Sequence, residues 1–378
     1  MTASQNPPLW QVSWFAATLA FGIATLFVTD RWAITAFDLS LLALTMVAVI
    51  LRRGDTTPPI LLLIPMGALM QIATHVTVDR WKTGESLLEW LTFASGLWLG
   101  SQLLSDPRIA ERFLRAAALG GVLLAVIAMF QQALGPVGYF GPFVYRNQFA
   151  AFLEALLPVA IVAAIEDRRR MIFWIAAAAT MFAGVVAAGS RAGTAICFVL
   201  LFLVPAAASV QGWITRSALL RFAAAVLAAV AILTFVAGWE TIWARLQEPH
   251  PYSLREDLVR STLDMIAERP WTGWGLGTWS TAYPAFARFD DGSFVNQAHN
   301  DWLQWAAEGG IPMLLVMLWL VARSGGSAWR SLWGIGMLGV FVHALLDYPF
   351  GQRPALAVFF FALWGAVSAV RPAGRARP

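Results

Sequence analysis

Apolar runs of 16 to 20 residues, with few or no charged side chains, recur from Trp10 to Val370. A helix of that length, rising 1.5 Å per residue, crosses a hydrocarbon layer of about 30 Å. The pattern predicts an all-α fold, a polytopic transmembrane bundle of about twelve helices in one domain, residues 1–378. The predicted spans are residues 10–28, 32–51, 60–78, 87–104, 116–134, 148–165, 171–188, 194–210, 219–238, 302–321, 331–348 and 355–370.

The composition agrees with lipid as the main solvent of the chain. Hydrophobic residues make up 59% of the sequence and charged residues 13%, a balance that excludes an ordinary soluble domain. The first span has no basic segment before it and no small-residue cleavage site, so we interpret it as a retained helix. Cys197 is the only cysteine and falls inside a predicted span, which excludes a disulfide framework and a thiolate metal site.

The distribution of Lys and Arg predicts the orientation, because short cytoplasmic loops retain positive charge. With the N-terminus inside, the cytoplasmic segments hold fifteen of the 26 Lys and Arg: Arg52, Arg53, Arg108, Arg112, Arg115, Arg168, Arg169, Arg170, Arg216, Arg221, Arg323, Arg330, Arg371, Arg375 and Arg377. The short outer loops hold Arg31, Arg80, Lys82, Arg146, Arg191 and Arg353. Both termini are therefore predicted to be cytoplasmic, and this topology explains the net charge of +4 without a nucleic-acid partner.

One outer connection, residues 239–299, is far longer than the others, and long loops in compact proteins are usually functional or disordered. Five tryptophans indicate an ordered loop: Trp239, Trp243, Trp271, Trp274 and Trp279. We interpret them first as interfacial residues and second as surfaces on which sugars stack. Gly273, Gly275 and Gly277 do not form a dinucleotide-binding loop, because the spacing differs and no strand precedes them.

An amphipathic helix is predicted within this loop. Ser253 and Glu256 have the spacing of a capping box, and Pro270 predicts that the helix ends near Glu268. Arg255 then lies in the first turn, where its charge adds to the positive end of the helix dipole. This end of the helix is therefore a predicted anion site.

Two further outer features carry candidate chemistry. The sequence GSRAG at 189–193 predicts a tight turn that leaves Arg191 between two apolar helices, which is costly unless function or an anionic partner compensates. All four histidines also fall on or near the outer side: His75, His250, His299 and His343. Of these we assign no function to His75 and His250.

Several of these segments together resemble the O-antigen ligase and Wzy polymerase family of bacterial membrane glycosyltransferases. The resemblance covers roughly residues 142–354. It is carried by YRNQFA at 145–150, GSRAG at 189–193, Arg255 followed by PWTGWGLG at 270–277, AHNDWLQ at 298–304 leading to EGG at 308–310, and 343–354 with DYP at 347–349.

The resemblance implies a multi-pass protein of the bacterial inner membrane with a periplasmic active site. Such enzymes move a glycan from an undecaprenyl pyrophosphate carrier to a glycan, to lipid A core or to another acceptor, without a metal or other cofactor. By motif position, Arg191 and Arg255 correspond to the arginines that contact pyrophosphate, and His299 to the histidine near the acceptor. Arginine suits this role because its planar group binds phosphate oxygens in pairs, and an imidazole can accept the proton of the acceptor.

Each candidate also has a structural interpretation. In that interpretation Arg191 is an arginine that extends its charge to the membrane interface, Arg255 is a solvated helix residue, and His299 caps the next helix beside Asn300 and Asp301. Arg146 either contacts the carrier or flanks the interface. Glu154 is predicted to support an arginine from within a span, and His343 and Asp347, four residues apart on a predicted helix, to contact each other.

Three functions remain open on the sequence. The first is a ligase and the second a Wzy-type polymerase of polysaccharide repeat units, which the motifs do not separate. The third is a lipid-linked sugar flippase or transporter, which would use the same cations without breaking a bond. Transporters place their sites near the middle of the bilayer, whereas these candidates are predicted at the outer surface, which favours an enzyme.

Overall fold

The computed structural model describes residues 7–51, 59–135, 138–237, 239–247, 253–289, 292 and 294–369. These residues form helices and no strand, which confirms the all-α fold class. The helices are α1 (Leu9–Ala24), α2 (Arg31–Leu51), α3 (Leu63–Ala73), α4 (Arg80–Leu103), α5 (Pro107–Leu134), α6 (Arg146–Glu166), α7 (Met171–Ala187), α8 (Arg191–Val210), α9 (Arg216–Ala237), α10 (Glu240–Leu246), α11 (Ser253–Glu268), α12 (Trp279–Ala282), α13 (Asp301–Ser331), α14 (Ile335–His343) and α15 (Pro354–Ala369). Short 3₁₀ turns at Ile60–Leu62, Arg168–Arg170 and Tyr283–Ala285 complete them. His250 and the arginines at 52, 53, 371, 375 and 377 lie outside the described residues.

Within the described ranges, seven helical segments are long and apolar enough to cross a membrane: Arg31–Leu51, Pro107–Leu134, Arg146–Glu166, Arg168–Ala187, Arg191–Val210, Arg216–Phe235 and Asp301–Ser331. Three shorter apolar helices accompany them: Leu9–Ala24, Ile60–Ala73 and Pro354–Ala369. The predicted total of about twelve therefore stays a prediction. The predicted span 331–348 was too long, because α14 ends at His343 and a turn containing Asp347 and Pro349 follows.

Helix α6 forms the centre of the bundle and is buried along almost its whole length. Helices α5, α7, α8 and α14 pack around it. On another side α15 lies along α4, where Gly100 and Gly365 let the two backbones approach closely. A side chain at Gly100 would meet the Ala362 carbonyl oxygen at 2.0 Å, so this contact requires glycine.

Helix α13 is broken at Gly310, as the sequence EGG followed by Pro312 predicts. Gly310 has φ 70° and ψ −178°, a backbone conformation that is essentially restricted to glycine. The Pro270 carbonyl oxygen accepts a hydrogen bond from the Ile311 N–H at 2.7 Å beside the break. The break therefore makes room for the long loop to pack into the side of α13.

Replacing Gly310 with alanine is expected to destabilise the protein by about 1–3 kcal/mol, because the new Cβ would require a strained backbone and would lie 2.6 Å from the Trp271 carbonyl oxygen. The measurement is the thermal unfolding midpoint in detergent. Gly325→Ala is the matched control, since Gly325 lies in the same helix with open space around it. Equal midpoints for the two variants would contradict this account of the break.

The long loop has its own small hydrophobic core, which contains Leu258, Met265, Trp274, Trp279, Tyr283 and Ala298 among others. The Trp274 indole donates to the Met265 carbonyl at 2.9 Å, and the Trp279 indole to the Thr262 hydroxyl at 3.2 Å. These two rings are thus structural rather than sugar-stacking surfaces. Helix α11 begins at Ser253 and ends at Glu268, as predicted.

A buried glutamine fastens this loop to the bundle. The Gln71 amide of α3 donates to the carbonyl oxygens of Thr272 at 2.7 Å and Glu308 at 2.8 Å, and its oxygen accepts from the Leu276 N–H at 3.0 Å. The Trp274 N–H donates to the Ala307 carbonyl at 2.9 Å. Loop, α3 and the first part of α13 therefore form one continuous hydrogen-bonded unit.

Candidate functional site

Hydrogen bonds bring the first turns of several helices together at one end of the bundle, which we call the loop face. Helices α6, α8, α11 and α13 begin there, at residues 146, 191, 253 and 301. The N-terminus of a helix carries partial positive charge and free backbone N–H groups. The loop face is therefore electrostatically suited to an anion.

Asp347, in the turn between α14 and α15, is the hub of a cluster at this face. Its carboxylate pairs with the Arg255 guanidinium at 2.8 Å and accepts from His299 Nδ1 at 3.2 Å. The Tyr145 hydroxyl donates to it at 3.0 Å, and so does the Asn147 side-chain amide. We call Tyr145, Asn147, Arg255, His299 and Asp347 the Asp347 cluster. Four separate stretches of chain thus meet at one carboxylate.

The cluster keeps Asp347 ionised although its side chain is only 1% exposed. Burial raises the pKa of the carboxyl, but the hydrogen bond from His299 and the charge of Arg255 outweigh burial and hold the pKa below its usual value. Burial and the adjacent carboxylate raise the pKa of Tyr145, so its hydroxyl stays protonated and donates. At neutral pH Asp347 is therefore an acceptor with several donors around it.

His299 is held in one orientation by both its backbone and its ring. Its φ of 52° lies in the left-handed region, and its ring packs edge-on against Tyr348 at 4.9 Å between centroids. Because Nδ1 faces the Asp347 carboxylate, the neutral imidazole carries its proton on Nδ1 and leaves Nε2 as an acceptor. The ring is 26% exposed, so it remains accessible to a ligand.

The next two residues complete the first turn of α13. Asn300 caps the helix by accepting from the Leu303 N–H at 3.0 Å, and its amide donates to the Leu345 carbonyl at 2.9 Å. The Asp301 N–H donates to the Asp347 carbonyl at 3.2 Å, while the Asp301 carboxylate accepts from the Phe350 N–H at 2.9 Å. Asn300 and Asp301 therefore position His299 against Asp347.

Arg255 connects the long loop to the Asp347 turn. Besides the ion pair, its guanidinium donates to the Leu346 carbonyl at 2.8 Å. The side chain is 27% exposed, so part of the guanidinium reaches the surface of the cluster. Arg255 is thus both a clamp on the loop and a cation presented at the loop face.

Arg191 reaches the same face through a relay of side chains. Ser190, which caps α8, donates to the Asn147 side-chain oxygen at 2.7 Å, and the Asn147 amide in turn donates to Asp347. The Arg191 guanidinium donates to the Arg245 carbonyl at 3.0 Å, and Arg245 donates to the Gly189 carbonyl at 3.2 Å. Arg191 and Arg255 therefore lie at the same end of the bundle, joined through Ser190, Asn147 and Asp347.

Comparison with known families gives a match to this chain. The family model described as O-antigen ligase matches residues 176–318. This part of the chain is similar to the O-antigen ligase and Wzy family. A search of curated proteins finds no match. The match confirms the resemblance predicted from the sequence, and it spans Arg191, Arg255 and His299, whereas Tyr145, Asn147 and Asp347 lie outside the matched range.

Two of the candidate residues, His343 and Glu154, have surroundings other than those predicted. The His343 side chain does not pair with the Asp347 side chain: its Nδ1 bonds the Glu154 carboxylate at 2.8 Å, with both side chains fully buried. The contact between His343 and Asp347 is made by the backbone, where the Asp347 N–H donates to the His343 carbonyl oxygen at 3.0 Å. Glu154 accordingly supports a histidine rather than an arginine. Arg146 begins α6 and, within the described contacts, makes none with the Asp347 cluster.

The sequence alone gave no role to four residues of the site. These are Tyr145, Asn147, Ser190 and Tyr348, which lie within the motif segments. Their part is visible only in space, where the Tyr145 ring stacks on Tyr348 at 4.9 Å and Asn147 joins Ser190 to Asp347. The sequence feature that could have indicated these residues is that polar side chains recur at the ends of apolar spans in three of the five motif segments. Arg245, which holds the turn before Arg191, carried no motif signal.

Metal ligation is not evident in the site. Within the described residues, no group of three or more His, Cys, Asp and Glu side chains is placed to hold a metal ion. The arginines described at this site are Arg255, which pairs with Asp347, and Arg191, which is joined to the cluster through Ser190 and Asn147. The arrangement offers cations for an anionic leaving group and one imidazole with a carboxylate behind it.

Proposed function

We propose that this protein transfers a glycan from an undecaprenyl pyrophosphate carrier to an acceptor at the periplasmic face of the bacterial inner membrane. The observation that carries the proposal is the convergence of Arg255 and His299 on the buried Asp347 carboxylate. A cation for a leaving diphosphate and a base for an incoming nucleophile then lie side by side. Both termini are cytoplasmic in this proposal, as the arginine distribution predicts.

The cations would act on the leaving group. When the bond between the sugar and the diphosphate breaks, negative charge grows on the departing oxygen. Fixed guanidinium groups at Arg255 and Arg191, with the first turns of α8 and α11 behind them, stabilise that charge more in the transition state than in the substrate. No metal step is included in this mechanism.

His299 would act on the acceptor. With the Nδ1 proton held by Asp347 at 3.2 Å, Nε2 is free to take the proton of an acceptor hydroxyl or amide as its oxygen or nitrogen attacks the sugar carbon. The ionised Asp347 stabilises the imidazolium that results. The bond between the sugar and the carrier diphosphate breaks and the bond between the sugar and the acceptor forms. The acceptor proton passes to His299, and the diphosphate leaves with the carrier.

The alternatives differ in acceptor or in chemistry. A polymerase would use the same cluster with a second carrier-linked glycan as acceptor, and only the acceptor distinguishes it from a ligase. A flippase would need cations and no base. The pairing of an imidazole with a buried carboxylate at the end of the bundle favours bond transfer over transport.

We expect purified protein in proteoliposomes to release undecaprenyl pyrophosphate from a carrier-linked oligosaccharide only when an acceptor is added. Acceptors to compare are lipid A core, a second carrier-linked oligosaccharide and water alone. The rate should stay within about twofold after EDTA treatment, because guanidinium groups replace the metal as electrophile. Movement of intact donor across the bilayer without release would support the flippase, and loss of the rate in EDTA restored by Mg²⁺ would contradict the metal-independent mechanism.

A further inference from the structure

A polar cavity of about 290 Å³ adjoins the Asp347 cluster. Asp301 lines the cavity, and its backbone N–H donates to the Asp347 carbonyl at 3.2 Å. Phe350 and Gly351, which follow Asp347 in the same turn, line it too. None of the five residues of the Asp347 cluster lines the cavity, so Asp301, Phe350 and Gly351 connect a molecule in the cavity to the groups that we propose to react.

The cavity opens at the loop face. One side of α4 forms a wall of it, with lining residues at helical spacing: Lys82, Glu85, Ser86, Glu89, Trp90 and Phe93. The opposite wall comes from the first two turns of α13 and from Asn296 and Gln297. Glu85, Asn296 and Gln352 are exposed, so the cavity reaches the surface. Its volume is at the lower end of the range of about 300–1,000 Å³ for small-molecule sites.

Acidic side chains predominate in the lining of this cavity. Glu85, Glu89, Asp301 and Glu308 line it with Lys82 as the single cation of the lining, and Glu85 also pairs with Arg31 at 3.2 Å. A phosphate or an acidic sugar would meet these acidic side chains with no guanidinium group among the lining residues, which disfavours its binding there. The diphosphate therefore belongs to the arginines, and the cavity suits a ligand without negative charge.

Some of the acceptors in the cavity already have partners and others do not. The Glu308 carboxylate accepts from the backbone N–H groups of Gly277 at 2.9 Å and Trp279 at 3.3 Å. In contrast, the Gln297 side-chain oxygen is buried without a hydrogen-bond partner in the described part of the chain. Glu89 likewise has no ion-pair or hydrogen-bond partner for its carboxylate among the described contacts. A buried acceptor without a donor is costly, so a ligand with a hydroxyl donor would stabilise the Gln297 oxygen, and the half-buried Glu89 carboxylate can accept a second hydroxyl.

Aromatic rings supply the apolar part of the lining. Trp90 and Trp305 meet edge-to-face with centroids 6.3 Å apart, and Phe93 and Phe350 complete the apolar lining. A sugar ring presents hydroxyl donors around its edge and C–H groups on its faces. A site that combines unpaired carbonyl and carboxylate oxygens with tryptophan rings matches both parts of that ligand.

We propose that this cavity binds an uncharged sugar ring of the glycan, next to the reacting bond, and that it selects against phosphorylated or acidic sugars at that position. The assignment rests on the proposed function for its place in the reaction, but the binding itself does not require catalysis. The sugar could belong to the donor or to the acceptor, and the chemistry is the same for both.

The test is saturation-transfer NMR on the full chain in a detergent without a sugar headgroup, using methyl glucoside and methyl glucuronide as probes. We expect the uncharged glycoside to bind at least about tenfold more tightly than the glucuronide, and Glu89→Gln to reduce that difference. Ser280→Trp should abolish binding, because Ser280 lines the cavity. The matched control is Thr281→Trp, since Thr281 is exposed, also accepts from the Lys82 ammonium at 2.9 Å, and does not line the cavity.

Equal binding of the two probes, or equal signals from wild type, Glu89→Gln and Ser280→Trp, would overturn the assignment. If Ser280→Trp fails to fold, the Glu89→Gln comparison alone decides it. Arg255→Ala should retain glycoside binding, so loss of transfer in that variant with binding intact separates the two proposals. In the transfer assay, a higher KM for the carrier-linked donor in Ser280→Trp assigns the sugar to the donor, and a higher KM for the acceptor assigns it to the acceptor.

Discussion

Replacing Arg255 with alanine is expected to lower the rate of glycan transfer by about 10²–10³-fold, the usual effect of removing one fixed donor from a developing negative charge. The measurement is release of undecaprenyl pyrophosphate in a single turnover with saturating donor. Lysine at this position should restore only part of the rate, because an ammonium cannot bind two phosphate oxygens with a planar fork.

The control for this experiment is Arg260→Ala in the same helix. Arg260 is exposed and pairs with Glu256 one turn earlier, a contact that contributes little to stability. Arg255 also clamps the loop through Leu346 and Asp347, so the thermal midpoint of each variant must be measured beside the rate. An Arg255→Ala protein that is folded and transfers at the wild-type rate would exclude the proposed role in binding diphosphate.

Replacing His299 with asparagine is expected to lower the transfer rate by about 10²–10⁴-fold, the range for loss of a general base. Asparagine is chosen because it tolerates the left-handed backbone at this position, φ 52°, better than alanine does. The fold should therefore survive while the imidazole is lost. KM for the donor should change little, since the imidazole acts on the acceptor in our proposal.

His75→Asn is the matched control. His75 has a similar backbone conformation, φ 59°, and contacts Arg80 away from the Asp347 cluster. Its replacement should leave the transfer rate within about twofold, as expected for a surface substitution that touches no reacting group. If the two histidine variants lose the same fraction of the rate, the effect is structural and His299 is not the base.

The long apolar runs determined most of the fold in advance, because a membrane restricts the backbone to helices and the helices to a minimum length. The break in α13 was also predictable, since two glycines and a proline within four residues cannot continue a regular helix. The start and end of α11 followed from local capping and from Pro270. These features depend on residues that are close together in the sequence, so they can be predicted without knowledge of the tertiary structure.

The turn around Asp347 could not be predicted in the same way. Hydropathy treats residues 331–348 as one span, whereas the chain leaves the helix at His343 and turns Asp347 towards Tyr145 and Arg255. Asp347 is separated by 202 residues from Tyr145 and by 92 from Arg255. No local pattern encodes such pairings, so the motifs identified Asp347 as a candidate residue but not as the residue on which the others converge.

The cavity beside the cluster was missed for a related reason. Glu85 and Glu89 lie on a helix in which the sequence shows only isolated acidic residues near an interface. They form a group with Asp301 and Glu308 only because α4, the start of α13 and residues 350–354 line the same cavity. The outer arginines could be identified from the distribution of Lys and Arg along the chain. The acidic side chains of the cavity could be grouped only from the structure, because they lie on helices that are distant in the sequence.

Gln71 shows why the long loop is not an independent module. One amide in α3 bonds loop residues on either side of Trp274 as well as the carbonyl of Glu308 in α13. A chimaera that takes only the loop from a relative would thus replace some hydrogen-bond partners of Gln71 and keep others. To transfer its specificity intact, the loop should be exchanged together with α3 and the first turns of α13. The smallest exchangeable unit of this protein is therefore discontinuous in the sequence.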